Sequence, residues 1–230
     1  WPDVDLDAGF GSLKKLHRLT FGYGRCSIKK LSSTMFIHVP HVTHLSLRNC
    51  YIHEIERGAF DPLPNLKFLN LACVRLLGFG NALRSLTGLE KSSLHTLILD
   101  GIERSPASLF LTANVTAPLA NLPLKQLSIS FNHFRMIDGS ALVNLPRSLI
   151  ILLLDSCFNT YFFSYLSVLD RIRPSLMYLS LRLKNCGHKI FWCHAMDQND
   201  DLDKNKYFPS LALESGKDQT RNNMSQSSNK

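Results

Sequence analysis

A short apolar pattern, Leu-x-x-Leu-x-Leu, constrains this chain more than any other feature. Seven copies occur: Leu16/Leu19/Phe21, Val42/Leu45/Leu47, Leu66/Leu69/Leu71, Leu94/Leu97/Leu99, Leu124/Leu127/Ile129, Leu149/Leu152/Leu154 and Leu176/Leu179/Leu181. Their starts lie 26, 24, 28, 30, 25 and 27 residues apart. Alternation of period two over so few residues describes a short strand with one buried face. One such unit cannot bury its own leucines, so the units must stack and share an interior. Each buried leucine contributes about 1.5–3 kcal/mol. The expected fold is α/β: a solenoid forming a curved horseshoe arc, with a short parallel sheet on the concave face and irregular loops and short helices on the convex face. Leu97→Ala is expected to cost about 2–5 kcal/mol.

The rest of each repeat agrees. Phe60 and Leu63 stand six and three residues before Leu66, and Phe36 and Val39 hold the same offsets before Val42. Side chains there can fill the convex side of the coil. Prolines in Leu63-Pro64, Leu122-Pro123 and Leu145-Pro146 set extended entries to the next strand. In the sixth repeat Phe162, Tyr165, Leu166, Leu169 and Ile172 follow helical spacing, and Pro174 ends that segment. Nine residues into each core, such repeats place an Asn or Cys that bonds the backbone of neighbouring turns. That column reads Gly24, Cys50, Val74, Ile102, Asn132, Cys157 and Lys184, so only Cys50, Asn132 and Cys157 fit.

The 24-residue form with Gly58-Ala59-Phe60 and Leu63-Pro64-Asn65-Leu66 resembles the extracellular type of leucine-rich repeat. With uneven repeat lengths and a Cys-substituted ladder, residues from Leu13 to Lys184 resemble a piece of a Toll-like receptor ectodomain. The resemblance implies a non-enzymatic segment that binds microbial products, pairs with a receptor dimer partner, and faces the extracellular or endosomal-lumenal side of a membrane. The alternative is a secreted leucine-rich matrix or adaptor protein that bridges proteins. No run of about 18 apolar residues crosses a membrane here. No signal peptide opens the chain and nothing resembles a TIR domain, so a fragment, a mature product or a truncated gene product is expected. No cofactor is expected.

Three regions follow: a partial repeat or cap over 1–15, the solenoid of about seven repeats over 16–194, and a polar tail over 195–230. The tail, rich in Asp and Asn, is expected to be disordered. The net charge is +8; it resides on the repeats and suits acidic partners. Nucleic acid is possible but not favoured, because the bases look scattered, with no stacked aromatics and no basic run to cradle phosphates.

Residues between the leucines of each core should point to the concave face. The candidates for binding are His17, Arg18, His44, Arg48, Lys67, Phe68, His95, Asp100, Lys125, Ile151 and Leu153. One column runs His17, Thr43, Lys67, His95, Lys125, with neighbours about 4.8 Å apart. It is either an anion-reading ridge, with histidines that tie binding to endosomal pH, or a set of solvated residues without a fixed role. Asp100→Ala, on the open face, is expected to cost under about 0.5 kcal/mol. Ile150, Ile151 and Leu153 either expose an apolar patch to a partner or mark a strand covered on both sides.

Among six cysteines, Cys50 and Cys157 are expected as buried ladder thiols, Cys26 as core, and Cys73 as outward and free. Cys186 and Cys193 are candidates for a capping disulfide. Cys186, His188, Cys193 and His194 could hold zinc, but a frayed end is favoured and no metal is expected. Asn114-Val115-Thr116 and Asn223-Met224-Ser225 are glycosylation sequons, with Asn114 on the convex or flanking side. No nucleophile elbow or phosphate-binding glycine loop occurs, His133 and Asp138 sit in loops, and enzyme readings fail.

Overall fold

The computed structural model describes residues 6, 8–21, 26–103, 110–132, 134, 136–155 and 175–181. All of them belong to the first of two units, Trp1–Gly187; the second is His188–Lys230. The segment expected as a helix around Phe162–Ile172, the pair Cys186 and Cys193, Cys157, His133, His188, His194, Asn223 and the tail lie outside the described residues.

The strands are β1 (Arg18–Thr20), β2 (Ser27–Leu31), β3 (His44–Ser46), β4 (Tyr51–Ile55), β5 (Phe68–Asn70), β6 (Thr96–Ile98), β7 (Phe110–Leu111), β8 (Gln126–Ser128), β9 (Met136–Ile137), β10 (Ile151–Leu153) and β11 (Tyr178–Ser180). Short helices α1 (Phe79–Arg84), α2 (Ala113–Thr116) and α3 (Gly139–Val143) lie between them. Seven strands form one parallel sheet in the order β1-β3-β5-β6-β8-β10-β11. Its register sets Leu19, Leu45, Leu69, Leu97, Leu127, Leu152 and Leu179 side by side, one from each repeat. The five inner leucines are fully buried, whereas Leu19 and Leu179, on the two end strands, are only partly so. A slip of one residue would turn every leucine to the other face, so the alternation and the register specify each other.

Phe36, Val39, Phe60 and Leu63 are all buried, as their offsets required, and the Phe36 and Phe60 rings stack at 6.2 Å. Two further parallel pairs, β2 with β4 and β7 with β9, were not expected from the sequence, which suggested irregular loops there. Their burial explains the omission. Ile28 and Leu31 pair with Ile52 and Ile55, and the buried residues fall three apart instead of two.

The cysteine reading needs correction. Ser27 pairs with Tyr51, so the residues before them, Cys26 and Cys50, are also neighbours. Their Cα atoms lie 4.7 Å apart and they form a disulfide across 24 residues. Cys50 is therefore no ladder thiol, and Cys26, instead of Gly24, takes the equivalent place. The two extra residues of the first repeat fall between β1 and β2. Cys73 is buried and disulfide-bonded, not outward and free. Asn132 performs the ladder role expected of it. It is fully buried; its Nδ2 donates to the carbonyls of Leu99 (2.8 Å) and Ile129 (2.9 Å), and its Oδ1 accepts from the N–H groups of Ile102 (2.9 Å) and Glu103 (3.1 Å).

One turn recurs after the strands. Asn49, Cys73, Gly101 and Phe131 occupy equivalent places with φ of 59°, 62°, 60° and 61°. Each donates its N–H to the next repeat, at the carbonyls of Ala72, Asp100, Ser130 and Asp155. Three of the four are not glycine, so stacking holds a backbone conformation those residues disfavour.

Candidate binding surface on the open face

The open face of the sheet is the one turned away from the leucines, and its side chains form columns across the strands. The column just before the strands is held by backbone bonds: Thr43 N–H to the His17 carbonyl (2.9 Å), Lys67 to Thr43 (2.8 Å), His95 to Lys67 (2.9 Å) and Lys125 to His95 (2.8 Å). The chain thus sets five residues in one row, as the spacing suggested. His17, Lys67 and Lys125 are exposed, while Thr43 and His95 are half-buried. Partial burial lowers the pKa of His95 below the ordinary histidine value, and the charges of Lys125 and Lys67 lower it further. Among the described residues the ion pairs join Lys30 to Glu54 (3.4 Å) and Glu56 (2.7 Å), and none involves this row.

One residue further on, the column reads Arg18, His44, Phe68, Thr96, Gln126, Ile151 and Tyr178. Arg18 is exposed; His44 and Phe68 are half-buried and their rings stack at 5.7 Å. Thr43 Oγ1 lies 2.8 Å from His44 Nδ1. The sequence reading found no stacked aromatics; this pair comes from residues 24 positions apart that register brings together.

At the far ends of the strands the face changes character. Asp100 Oδ1 accepts from the Ser128 hydroxyl (2.6 Å) and the Ser130 N–H (2.8 Å). Asp155 donates its N–H to Ser130 Oγ (3.0 Å), and its Oδ1 accepts from the Ser180 hydroxyl (2.6 Å). Gln126, Ser128, Ser130, Asp155 and Ser180 are all buried. Burial pushes the Asp100 carboxyl up to about 6, against the hydrogen bonds from Ser128 and Ser130 and the nearby charge of Arg48. The charge of Asp155 adds to the upward push. Asp100 is therefore half-buried and bonded instead of solvated, and the mild cost expected for its removal is corrected below. Arg48 is half-buried, with its guanidinium shielded from water. Leu153 is buried, whereas Ile150 and Ile151 are half-buried beside the exposed Met177 and Tyr178 of the next repeat, so apolar surface stays open at the start of β10.

Of the candidates, then, His17, Arg18, Lys67 and Lys125 reach solvent, with His44, Phe68 and His95 half-open beside them. Arg48, Asp100 and Leu153 belong to a closed region. The linkage through Ser128, Ser130, Asp155 and Ser180 escaped sequence reasoning; its one trace was acids and hydroxyls at equal offsets in adjacent repeats. Asn114 is exposed on α2, while the sequon's Thr116 is buried and its hydroxyl donates to the Ala141 carbonyl (3.0 Å). Among the described residues no cluster of His, Cys, Asp or Glu could hold a metal, and no helix is long and apolar enough to cross a membrane.

Comparison with known proteins follows this geometry. Residues 14–73 match the leucine-rich repeat family. Toll-like receptor 4 of Pinctada imbricata is 27% identical over 149 residues, 61% of this chain and 16% of that protein. Chondroadherin-like protein of Mus musculus is 47% identical over 45 residues, 20% of this chain and 6% of that protein. The solved TLR13–ssRNA13 complex superposes with a TM-score of 0.51 at 19% identity, covering 77% of this chain and 26% of that one. The chain therefore spans only a small part of the relatives it matches. Fold, register and these likenesses agree: the chain folds as a leucine-rich repeat solenoid, and its repeats resemble those of a Toll-like receptor ectodomain.

Proposed function

We propose that this chain is the ligand-recognition segment of a Toll-like innate immune receptor, meeting a microbial product or a partner protein through the open face of its sheet. The observation that carries this reading is the length of the likeness: it runs over 149 residues of a Toll-like receptor, against 45 for the chondroadherin-like protein. The half-open cationic columns of β1, β3 and β5 supply a surface for such a ligand, and a receptor dimer partner could use the same scaffold. Two features support the extracellular or endosomal-lumenal side of a membrane. A disulfide joins successive repeats, which suits an oxidising compartment. Asn114 is exposed within a sequon, ready for a glycan. The second reading, a secreted matrix or adaptor protein, draws on the higher identity of the 45-residue match.

The full transcript separates the two. A membrane span and a TIR domain encoded downstream support the receptor, whereas a stop after a Cys-rich cap supports the matrix protein. Secretion from cultured cells tests the compartment. Endoglycosidase should shift the mobility of the secreted chain, and Asn114→Gln should remove the glycopeptide at that site. An unmodified Asn114 in secreted material would overturn the glycan assignment.

A further inference from the structure

We infer that the strand starts of the open face form a docking surface for an extended segment of a partner protein, one with carboxylates toward one end and aliphatic or aromatic side chains toward the other. This rests on the ligand-recognition reading above and names the chemistry of the partner. The row through His17, Thr43, Lys67, His95 and Lys125 does not stop at β8. The Ile150 N–H donates to the Lys125 carbonyl (2.8 Å) and the Met177 N–H to the Ile150 carbonyl (2.9 Å), so two apolar residues continue it. In the next column Ile151 pairs with Gln126, and Tyr178 with Ile151. A cationic stretch and an apolar stretch therefore meet edge to edge on one face.

Among the described residues neither stretch is satisfied. Met177 is 84% exposed and Tyr178 47%, with Ile150 and Ile151 half-buried beside them. Apolar side chains gathered on an open face favour a partner that takes them out of water. No described ion pair joins Lys67 or Lys125 to an acid. The acids of this face, Asp100 and Asp155, lie at the far strand ends and are bonded to Ser128, Ser130 and Ser180. Like charges in one row repel, and carboxylates laid over them remove the repulsion.

The spacing sets the size of the partner. Four strand separations of about 4.8 Å carry the row from Lys67 to Met177, about 19 Å in all. An extended peptide rises about 3.3 Å per residue and turns alternate side chains to one side, so about seven residues cover that distance with four side chains facing the sheet. Two acids then stand over the stretch from Lys67 to Lys125, and two apolar side chains over Ile150 and Met177. The apolar area is only two strands wide and two residues long. It accommodates one or two side chains and is too short for an extended acyl chain, so charge and size together select a protein segment over an acidic lipid.

The test uses the full 230-residue chain and three immobilised seven-residue probes, read by biolayer interferometry. The mixed probe is Asp-Ser-Glu-Ser-Leu-Ser-Phe. The acidic probe has serine in place of its Leu and Phe, and the shuffled probe, Asp-Ser-Leu-Ser-Phe-Ser-Glu, keeps the composition but puts an acid at each end. The mixed probe should bind about tenfold tighter than either of the others, the gain expected from burying one or two apolar side chains. Met177→Ser/Tyr178→Ser should bring the mixed probe down to the level of the acidic one, and an unchanged acidic probe shows that this variant still folds. Lys67→Gln/Lys125→Gln should weaken the mixed and acidic probes alike, by about tenfold, and flatten their salt dependence. Lys29→Gln/Lys91→Gln and Val143→Ser, exposed on other elements, should stay within about twofold of the wild type. Mixed and shuffled probes bound equally, or a mixed probe indifferent to Met177→Ser/Tyr178→Ser, would overturn the site. Phosphatidylglycerol vesicles that bind the chain and are lost in both double variants of the row would overturn the assignment to protein. A transcript that stops without a membrane span would sink the receptor reading and leave these outcomes standing, so the two readings fail separately.

Discussion

The two halves of one sheet face behave in opposite ways. At the strand starts it is open: His17, Arg18, Lys67, Lys125 and Tyr178 reach solvent, and His44 and Phe68 are half-covered. At the far ends of β8, β10 and β11 it is closed: Ser128, Ser130, Asp155 and Ser180 are buried and joined by hydrogen bonds. Both ends lie on the same face of the same sheet, so facing away from the leucines does not by itself make a surface. Short hydroxyls beside carboxylates on the next strand shed water because each group finds a partner. Long cations beside one another find none and stay hydrated. The open half is thus equipped to meet a ligand, and the closed half holds its own strands together.

Mutations can break or sharpen this contrast. The largest effect belongs to the interior both halves share: Leu97→Ala should cost about 2–5 kcal/mol in urea unfolding, because the leucine is fully buried between Leu69 and Leu127. Next comes the staple behind the open half. Cys26→Ser/Cys50→Ser releases a loop closed across 24 residues and should cost about 3 kcal/mol. In the closed half, Asp100→Ala strands the Ser128 hydroxyl and the Ser130 N–H and should cost about 1–3 kcal/mol. A cost under about 0.5 kcal/mol there would return Asp100 to an ordinary surface.

Asp100 also predicts a pH signature. Its carboxyl titrates near 3.8 when unfolded and at about 6 in the fold. Between those values the native chain holds a proton the unfolded chain has released, so this group stabilises the fold increasingly as pH falls from about 6 toward 4. Above that window the charged native form is disfavoured. Unfolding curves at pH 7 and pH 4.5 for the wild type and Asp100→Asn should diverge in that direction, the variant lacking the gain. The smallest effect falls on the open half: Lys67→Gln/Lys125→Gln should leave stability within about 0.5 kcal/mol while changing binding. A large loss of stability there would erase the distinction between the halves.

Much of the fold was legible. The register of all seven strands follows from period-two leucines, and Phe36, Phe60 and Leu63 fill the interior where their offsets placed them. The pairs β2–β4 and β7–β9 were not, because their buried residues fall outside period two or span only two residues. The site was legible as a set of outward positions but not as a surface. His95 between two lysines emerged from the column; the closure over Asp100 and the Cys26–Cys50 bond did not.

By itself, the sequence determined that strands stack and which residues turn inward, since the spacing of leucines along one strand is a local property and a slip would expose them all. Only the tertiary structure decided which outward residues meet water. That depends on partners 24 to 30 positions away: a serine for Asp100, a lysine for His95, a second cysteine for Cys50. Burial and pairing are non-local, and an uneven repeat shifts those partners by residues that no single strand records.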